Sequence, residues 1–330
     1  IFRAKKLTLD NKYNSPSIKI TQLTLSNFRN YKNIKIKVFK SPIIFIGDNG
    51  SGKTNILEAI SFLAPGRGLR SVKYEEANNN NGNEGWAINA KVECNKNKTN
   101  FGIGTGTVEK KTNKNGRVVK VDNQIKPVSF LSSIISIIWI TPQMDNLFVA
   151  DASKRRKFFD RLVFNFEPNH IKQLNIYEKS LRERSKILKE KITNNRWLDV
   201  VEKSLANSGV AICAARNEYI NILNEKLVSV LGPFPPAEVK IEGTVEGWLK
   251  KMPFDIVEMK FLEEIKKSRY IDSQSGRTKL GPHRSDFITI YKRKSLIAQK
   301  CSTGEQKSLL IGVILGQIRM LLDKNGVPPI

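Results

Sequence analysis

Cysteine is scarce. Cys94, Cys213 and Cys301 are isolated and odd in number, which supports neither a disulfide framework nor a thiolate metal site and fits a reducing compartment. Histidine is scarcer still: His170 and His283 lie far apart with no Cys or His beside them, so no zinc centre is expected. Long apolar runs are missing too. The most apolar stretch, residues 128–140, is interrupted by Ser129, Ser132, Ser133 and Ser136 and is too short to span a bilayer as a helix. No signal-like leader opens the chain, so a soluble cytoplasmic protein with no membrane partner is expected. Acids are in deficit, 31 Asp and Glu against 56 Lys and Arg, for a formal net charge of +25. That balance favours an anionic partner such as nucleic acid and disfavours an acidic one. It equally describes a solubilising surface in a lineage that uses Lys and Asn freely.

What is present begins, after a lead-in at residues 1–17 expected to be weakly ordered, with alternation. Ile18, Ile20, Leu23 and Leu25 predict one strand; Ile34, Ile36 and Val38 alternate with Lys35 and Lys37 as in a half-solvated antiparallel strand, with residues 27–33 as the turn. A short buried strand over 42–46 runs into a glycine-rich loop, and a helix over 55–63 carries Ile56, Leu57, Ile60 and Leu63 on one apolar face. Residues 78–85, nearly all Asn and Gly, predict a mobile loop. Strands are expected over 86–92, 101–108 and 117–121, with a hairpin tip at 110–116. The β-branched run 134–140 reads as a buried strand ended by Pro142. A helix capped by Ser153 then turns Phe158, Phe159, Leu162 and Val163 inward.

Heptad-like spacing of Leu174, Tyr177, Leu181, Leu188 and Ile192, and then of Leu198, Val201, Leu205, Ile212, Ala215, Tyr219 and Ile222, predicts two long helices joined at 193–195. The spacing fits both a projecting antiparallel hairpin and a packed helical subdomain. Beyond Gly232, Pro233, Pro235 and Pro236, the pattern predicts a strand over 237–245, a helix over 254–267, a strand over 287–291 and a helix over 304–322.

The glycine-rich loop carries the chemistry. Gly47-Asp48-Asn49-Gly50-Ser51-Gly52-Lys53-Thr54 fits G-x-x-x-x-G-K-[ST], with strand before and helix after. Backbone N–H groups of Gly50, Gly52, Lys53 and Thr54 are expected to face a β-phosphate at the helix N-terminus. Lys53 supplies a point charge to the β- and γ-phosphates, and the Thr54 hydroxyl is expected to hold Mg²⁺. Just downstream, Arg67, Arg70 and Lys73 occupy a flexible segment at 65–73 that suits either a phosphate contact or a plain surface loop; Lys154, Arg155, Arg156 and Lys157 form an equally basic cluster. These two clusters are the candidate DNA contacts.

With these motifs in view, the chain resembles the RecF family of bacterial DNA replication and repair proteins, cassette-type ATPases related to chromosome-structural-maintenance heads. The resemblance starts at Leu23-Thr24-Leu25-Ser26-Asn27-Phe28-Arg29-Asn30-Tyr31 and continues through the phosphate loop into Asn55-Ile56-Leu57-Glu58-Ala59-Ile60. It runs on through Gly66-Arg67-Gly68-Leu69-Arg70, Thr141-Pro142-Gln143-Met144-Asp145, Arg155-Arg156-Lys157-Phe158-Phe159-Asp160 and Gly281-Pro282-His283-Arg284, to Ser302-Thr303-Gly304-Glu305-Gln306-Lys307. It implies an α/β fold, a P-loop NTPase of ATP-binding-cassette type with mixed sheet and an inserted helical arm. The implied divisions are a lead-in at 1–17, the N-terminal part of the ATPase head at 18–168, the arm at 169–270 and the C-terminal part of the head at 271–330.

The resemblance also implies roles. Asn30 lies near the nucleotide, and Gln143 falls in the loop that contacts metal and attacking water. Ser302, Gly304 and Gln306 belong to a signature that completes the ATP site of the opposite subunit; on its residues alone that segment is a capped helix start. The implied cofactors are ATP and Mg²⁺, and the implied partners are double-stranded DNA including gapped DNA, a second copy in an ATP-dependent homodimer, and the mediators RecO and RecR in recombinase loading. In the family the signature helix is followed by a strand ending in adjacent acids; here the chain runs to Pro328-Pro329-Ile330, Asp323 is not that acid, and residue 1 is Ile. A fragment is therefore expected, with slow hydrolysis assigned to the intact product. Two other readings stay open: a non-catalytic nucleic-acid-binding fragment that retains ATP contacts, and a cassette head of a chromosome-organising or transport complex.

Overall fold

Short alternation dominates the first part of the chain and helical spacing the middle, and the computed structural model follows that division. It describes residues 3–4, 17–39, 41–79, 85–95, 99–107, 116–190, 195–228 and 233–330. Most of the expected lead-in, part of the Asn- and Gly-rich loop, the hairpin tip up to residue 115, the interhelical turn at 191–194 and the break at 229–232 lie outside the described residues. By internal packing the chain forms two units, residues 1–139 with 321–330, and residues 140–320.

The first unit contains strands β1 (Arg3–Ala4), β2 (Ile18–Phe28), β3 (Tyr31–Lys37), β4 (Phe45–Ile46), β5 (Ala87–Cys94), β6 (Thr99–Thr107), β7 (Arg117–Val121) and β8 (Gln124–Lys126), with helices α1 (Lys53–Ser61) and α2 (Leu131–Ile134). Six strands pair in the order β3-β2-β5-β6-β7-β8, and every pairing among the described residues is antiparallel. Period-two alternation places Leu23, Leu25, Ile88, Ala90, Ile103 and Val119 on the face that packs with Ile56, Ala59, Phe62 and Leu63. Phe28 and Phe62 both meet Trp86, with ring centroids 5.5 and 5.0 Å away.

Several expectations shift. The β2–β3 turn narrows to Arg29 and Asn30, with Arg29 at φ 53°. The stretch before the phosphate loop is not a buried strand. Among the described residues only Phe45 and Ile46 pair, with Arg3 and Ala4, and Ile43, Ile44 and Ile46 are 39–50% exposed. Leu57 leaves the apolar face of α1, whereas Ile56 and Leu63 are buried. Among the described residues, 135–140 form no strand: Ile135 N–H donates back to Leu131 O at 3.0 Å, and Ile138 N–H donates to Ile330 O and Ile330 N–H to Ser136 O, both at 2.9 Å. The unexpected β8 follows a two-residue hairpin turn in which Asp122 and Asn123 take φ 47° and 64°, a conformation these two residue types tolerate.

The second unit holds α3 (Ala152–Phe166), α4 (Asn169–Lys189), α5 (Asn195–Val228), β9 (Ala237–Glu242), α6 (Thr244–Leu249), α7 (Phe254–Lys267), α8 (Arg269–Ser275), β10 (Asp286–Tyr291), β11 (Leu296–Ile297) and most of α9 (Thr303–Asn325). The strands pair as β11-β10-β9, antiparallel. Phe158, Phe159, Leu162 and Val163 of α3 are buried as predicted, but Asp151 rather than Ser153 stands at the N-cap, and no side chain caps the helix. The long helices α4 and α5 pack along each other, and Tyr177, Leu205, Val210 and Cys213 share a core with Val257, Phe261 and Ile265 of α7.

Two buried arginines tie these helices together. Arg184 of α4 donates to Glu202 of α5 (2.9 Å), Asp272 of α8 (2.7 Å), Thr278 (2.7 Å) and Ile265 O (2.9 Å). Arg216 of α5 makes two 2.9 Å bonds to Asp160 of α3 and further bonds to Glu246 (3.1 Å) and Pro282 O (2.9 Å). Burial alone would raise the Asp160 carboxyl, but Arg216 and the His170 ring hold it far below the usual carboxylate range. Among the described residues no helix is long and apolar enough to cross a membrane.

Candidate functional site

Residues 47–54 lead from β4 into α1 through a backbone that needs glycine at two places. Gly50 and Gly52 sit at φ 82° and 98°, and a Cβ at Gly52 would collide with the Tyr31 hydroxyl and lie 2.7 Å from Asn30 Nδ2. The β2–β3 turn is thus pressed against the loop. Asn30 Oδ1 also accepts from Asn55 Nδ2 at 2.8 Å, so Asn30 stands beside the loop as expected. Lys53 Nζ folds over the loop and donates to Gly47 O (2.6 Å) and Asp48 O (2.8 Å). Its charge is therefore held over the loop at the start of α1, which no side chain caps.

The donors suit a polyphosphate. Asp48, Asn49, Gly50 and Thr54 are exposed, and two polar atoms, Ser51 Oγ and Tyr31 Oη, are buried without a hydrogen-bond partner. Burial raises the Tyr31 phenol further above its ordinary range, so it acts as a neutral donor. Mg²⁺ bound to a nucleotide takes only one or two protein oxygens and keeps phosphate and water ligands for the rest. The exposed Thr54 hydroxyl is such a donor. Among the described residues no group of three or more His, Cys, Asp and Glu could hold a metal by itself.

In the second unit, Ser302 and Glu305 form a reciprocal cap at the start of α9: Ser302 N–H donates to Glu305 Oε2 at 3.0 Å, and Glu305 N–H reaches Ser302 Oγ at 3.4 Å. Lys294 also bonds Glu305 (2.5 Å), which holds that carboxyl below its usual range. Ser302 and Gly304 are exposed. Gln306 is not: it is 6% exposed and donates to Cys301 O at 2.9 Å, so its side chain serves the helix start and the expected nucleotide contact is corrected. Gln143 is exposed on the turn at 142–146, and Lys307 of α9 bonds Asp145 of that turn at 3.2 Å. The two motifs expected to serve one chemistry are thereby linked within one unit.

The basic clusters divide. Arg67, Lys73, Lys154 and Lys157 are exposed. Arg155 is not a surface cation: it makes bonds of 2.8 and 2.6 Å to Asp286 and donates to Phe148 O and Ala150 O, which removes it from the DNA candidates. Arg156 is half-buried and donates to Ser285 O at 2.6 Å; burial and then Arg216 lower its pKa from the ordinary arginine value. Arg70 forms an ion pair with Glu58 at 3.2 Å. The motif at 281–284 is structural: a Cβ at Gly281 (φ 132°) would meet the Tyr177 hydroxyl, and that hydroxyl lies 2.6 Å from His283 Nδ1. Burial keeps His283 below its ordinary pKa, with Nε2 turned to Thr278 O at 2.9 Å. Sequence reasoning missed Glu58, Arg117 and Arg184. Of these, only the placement of Glu58 in the motif at 55–60 that follows the phosphate loop was a usable signal.

The family model described as RecF/RecN/SMC N terminal domain matches residues 19–320. The DNA replication and repair protein RecF of Mesorhizobium japonicum is 37% identical over 314 residues, 94% of this chain and 82% of that protein. The RecF of Rickettsia typhi is 37% identical over 314 residues, 95% of this chain and 85% of that one. A solved structure of the recombination mediator protein RecF-ATPrS in the RecFOR pathway is similar with a TM-score of 0.81 at 23% identity, over 96% of this chain and 85% of that chain. That likeness establishes the fold, an α/β P-loop NTPase of ATP-binding-cassette type.

Proposed function

Because the chain belongs to the RecF family, we propose that it is an ATP-binding protein of DNA repair and replication whose phosphate loop, in one copy, and Ser302 and Gly304, in a second copy, close on the same nucleotide around double-stranded DNA. The observation that carries this reading is the loop itself: Lys53 poised over Gly47 and Asp48 beside the uncapped start of α1. Lys53 and the loop N–H groups bind the phosphates, and Thr54 supplies the protein oxygen for Mg²⁺. Exposed Gln143, on the turn tied to α9 by Lys307, orients the attacking water. RecO and RecR act with the DNA-bound dimer at gapped DNA to load the recombinase.

Ser302→Arg tests the dimer. The hydroxyl is exposed and held by one long bond, so arginine costs little fold stability, about 1 kcal/mol for the lost cap. Its bulk displaces the close approach to a phosphate on a second copy even though its charge is attracted there. Sedimentation with and without ATP should show ATP-driven association of the unaltered chain and none for the variant, with nucleotide affinity of the monomer retained. Dimers of undiminished strength would reject the role in trans.

DNA binding is expected to weaken steeply with salt and to show little base preference. Neutralising Arg67 with Lys73, or Lys154 with Lys157, should flatten the salt dependence for whichever pair touches phosphate, by about 0.9 in the log–log slope per lost contact. A duplex titration from low to high salt with each pair altered identifies the surface. Salt-insensitive binding in all forms counts against both.

A further inference from the structure

Glu58 is fully buried in the middle of the phosphate-loop helix, a position where a carboxylate is tolerated only if compensated. Arg29 supplies most of that compensation. Its Nε and Nη2 reach the two carboxylate oxygens at 2.9 and 2.6 Å, while its Nη1 bonds Glu76 O, a two-pronged contact that also fixes the β2–β3 turn bearing Asn30 and Tyr31. Arg70 adds a third, longer contact, Nη1 to Oε2 at 3.2 Å, and its side chain remains 39% exposed.

The segment that carries Arg70 does not depend on that contact. Leu69 N–H donates to Ser61 Oγ at 2.7 Å, and buried Arg117 donates to Ala64 O (3.0 Å) and Gly66 O (3.1 Å). The backbone of 64–69 is thus anchored by other bonds. Breaking the Arg70 pair leaves Glu58 held at both oxygens and frees a guanidinium with five N–H donors beside exposed Arg67 and Lys73.

We infer that Glu58 is a positioning residue that holds Arg70 in reserve for a backbone phosphate of duplex DNA, so that DNA binding exchanges the Glu58–Arg70 pair for an Arg70–phosphate pair and thereby reaches the phosphate-loop helix. This rests on the DNA-binding reading above. A carboxylate that competes with DNA for one cation lowers DNA affinity, and if that cation is Arg70 rather than Arg29, the gain from removing the charge disappears when Arg70 is absent.

The experiment is a double-mutant cycle on duplex-DNA affinity at fixed salt, with thermal melting run beside it. Glu58→Gln should tighten DNA binding about two- to fivefold when Arg70 is present and leave it unchanged in the Arg70→Ala background. An equal effect in both backgrounds, or weaker binding by a folded Glu58→Gln variant, overturns the exchange. If Glu58→Gln does not fold, Arg70→Ala alone decides. It leaves the Arg29 contact intact and should make the log–log salt slope shallower by about 0.9, whereas an unchanged slope overturns the inference. Failure of the unaltered chain to bind duplex DNA rejects the underlying reading and the inference with it; a null cycle with normal binding rejects the inference alone.

Discussion

Lys53→Ala is expected to lower ATP affinity by about 100-fold, the loss of roughly 3 kcal/mol of charge-assisted contact to the phosphates. The fold should hardly notice. Among the described residues Lys53 Nζ bonds only the carbonyls of Gly47 and Asp48, at an exposed loop, and a substitution of that kind changes stability by roughly 0.5 kcal/mol or less. Titration calorimetry with ATP beside thermal melting separates the two quantities. Undiminished affinity in a folded variant would remove the loop from the nucleotide site.

Arg184→Met should do the reverse. The side chains of Arg184, Glu202 and Asp272 are 0, 0 and 1% exposed, so removing the cation leaves buried carboxylates short of a partner. Loss of one member of such a network costs about 3–5 kcal/mol. Two groups limit the damage: Arg269 still bonds Glu202, and Ser268 still donates to Asp272 at 2.7 Å. Urea denaturation should show a lower midpoint. Nucleotide affinity under native conditions should hold, because the residues of the loop at 47–54 belong to the other unit. A loss below about 1 kcal/mol would mean that water or a rearranged side chain compensates the acids.

The two variants mark what was legible in the chain. The phosphate loop is local: glycines, lysine and threonine act within eight consecutive residues, and backbone sterics dictate the shape they take. The antiparallel hairpins were legible for the same reason, since alternation reports a face. Residues 134–140 misled because β-branched composition shows a preference for extended backbone but not whether a partner strand exists. Ile134 closes α2, Ile135 is extended, Ile135 and Ile137 are buried, and Ser136 and Ile138 exchange backbone bonds with Ile330 without forming a strand among the described residues. Arg155 and Gln306 misled differently. Both sit in motifs full of exposed polar residues; the distant Asp286 turns Arg155 inward, and the carbonyl of Cys301, just before the helix, takes up Gln306. Arg70 and Glu58 show the same limit, since an ion pair between residues twelve apart leaves no periodic trace. The networks of Arg184 and Arg216 join helices distant in sequence, and heptad spacing reads only their apolar neighbours.

The proposed function stands or falls on whether nucleotide at residues 47–54 controls DNA binding. Duplex-DNA affinity of the unaltered chain and of Lys53→Ala, measured by fluorescence anisotropy with and without Mg·ATP at constant ionic strength, tests this most directly. ATP should tighten binding by the unaltered chain at least about tenfold, a coupling of roughly 1.4 kcal/mol, and should leave Lys53→Ala unaffected. Equal affinity with and without ATP, or the same ATP effect in both proteins, would contradict it.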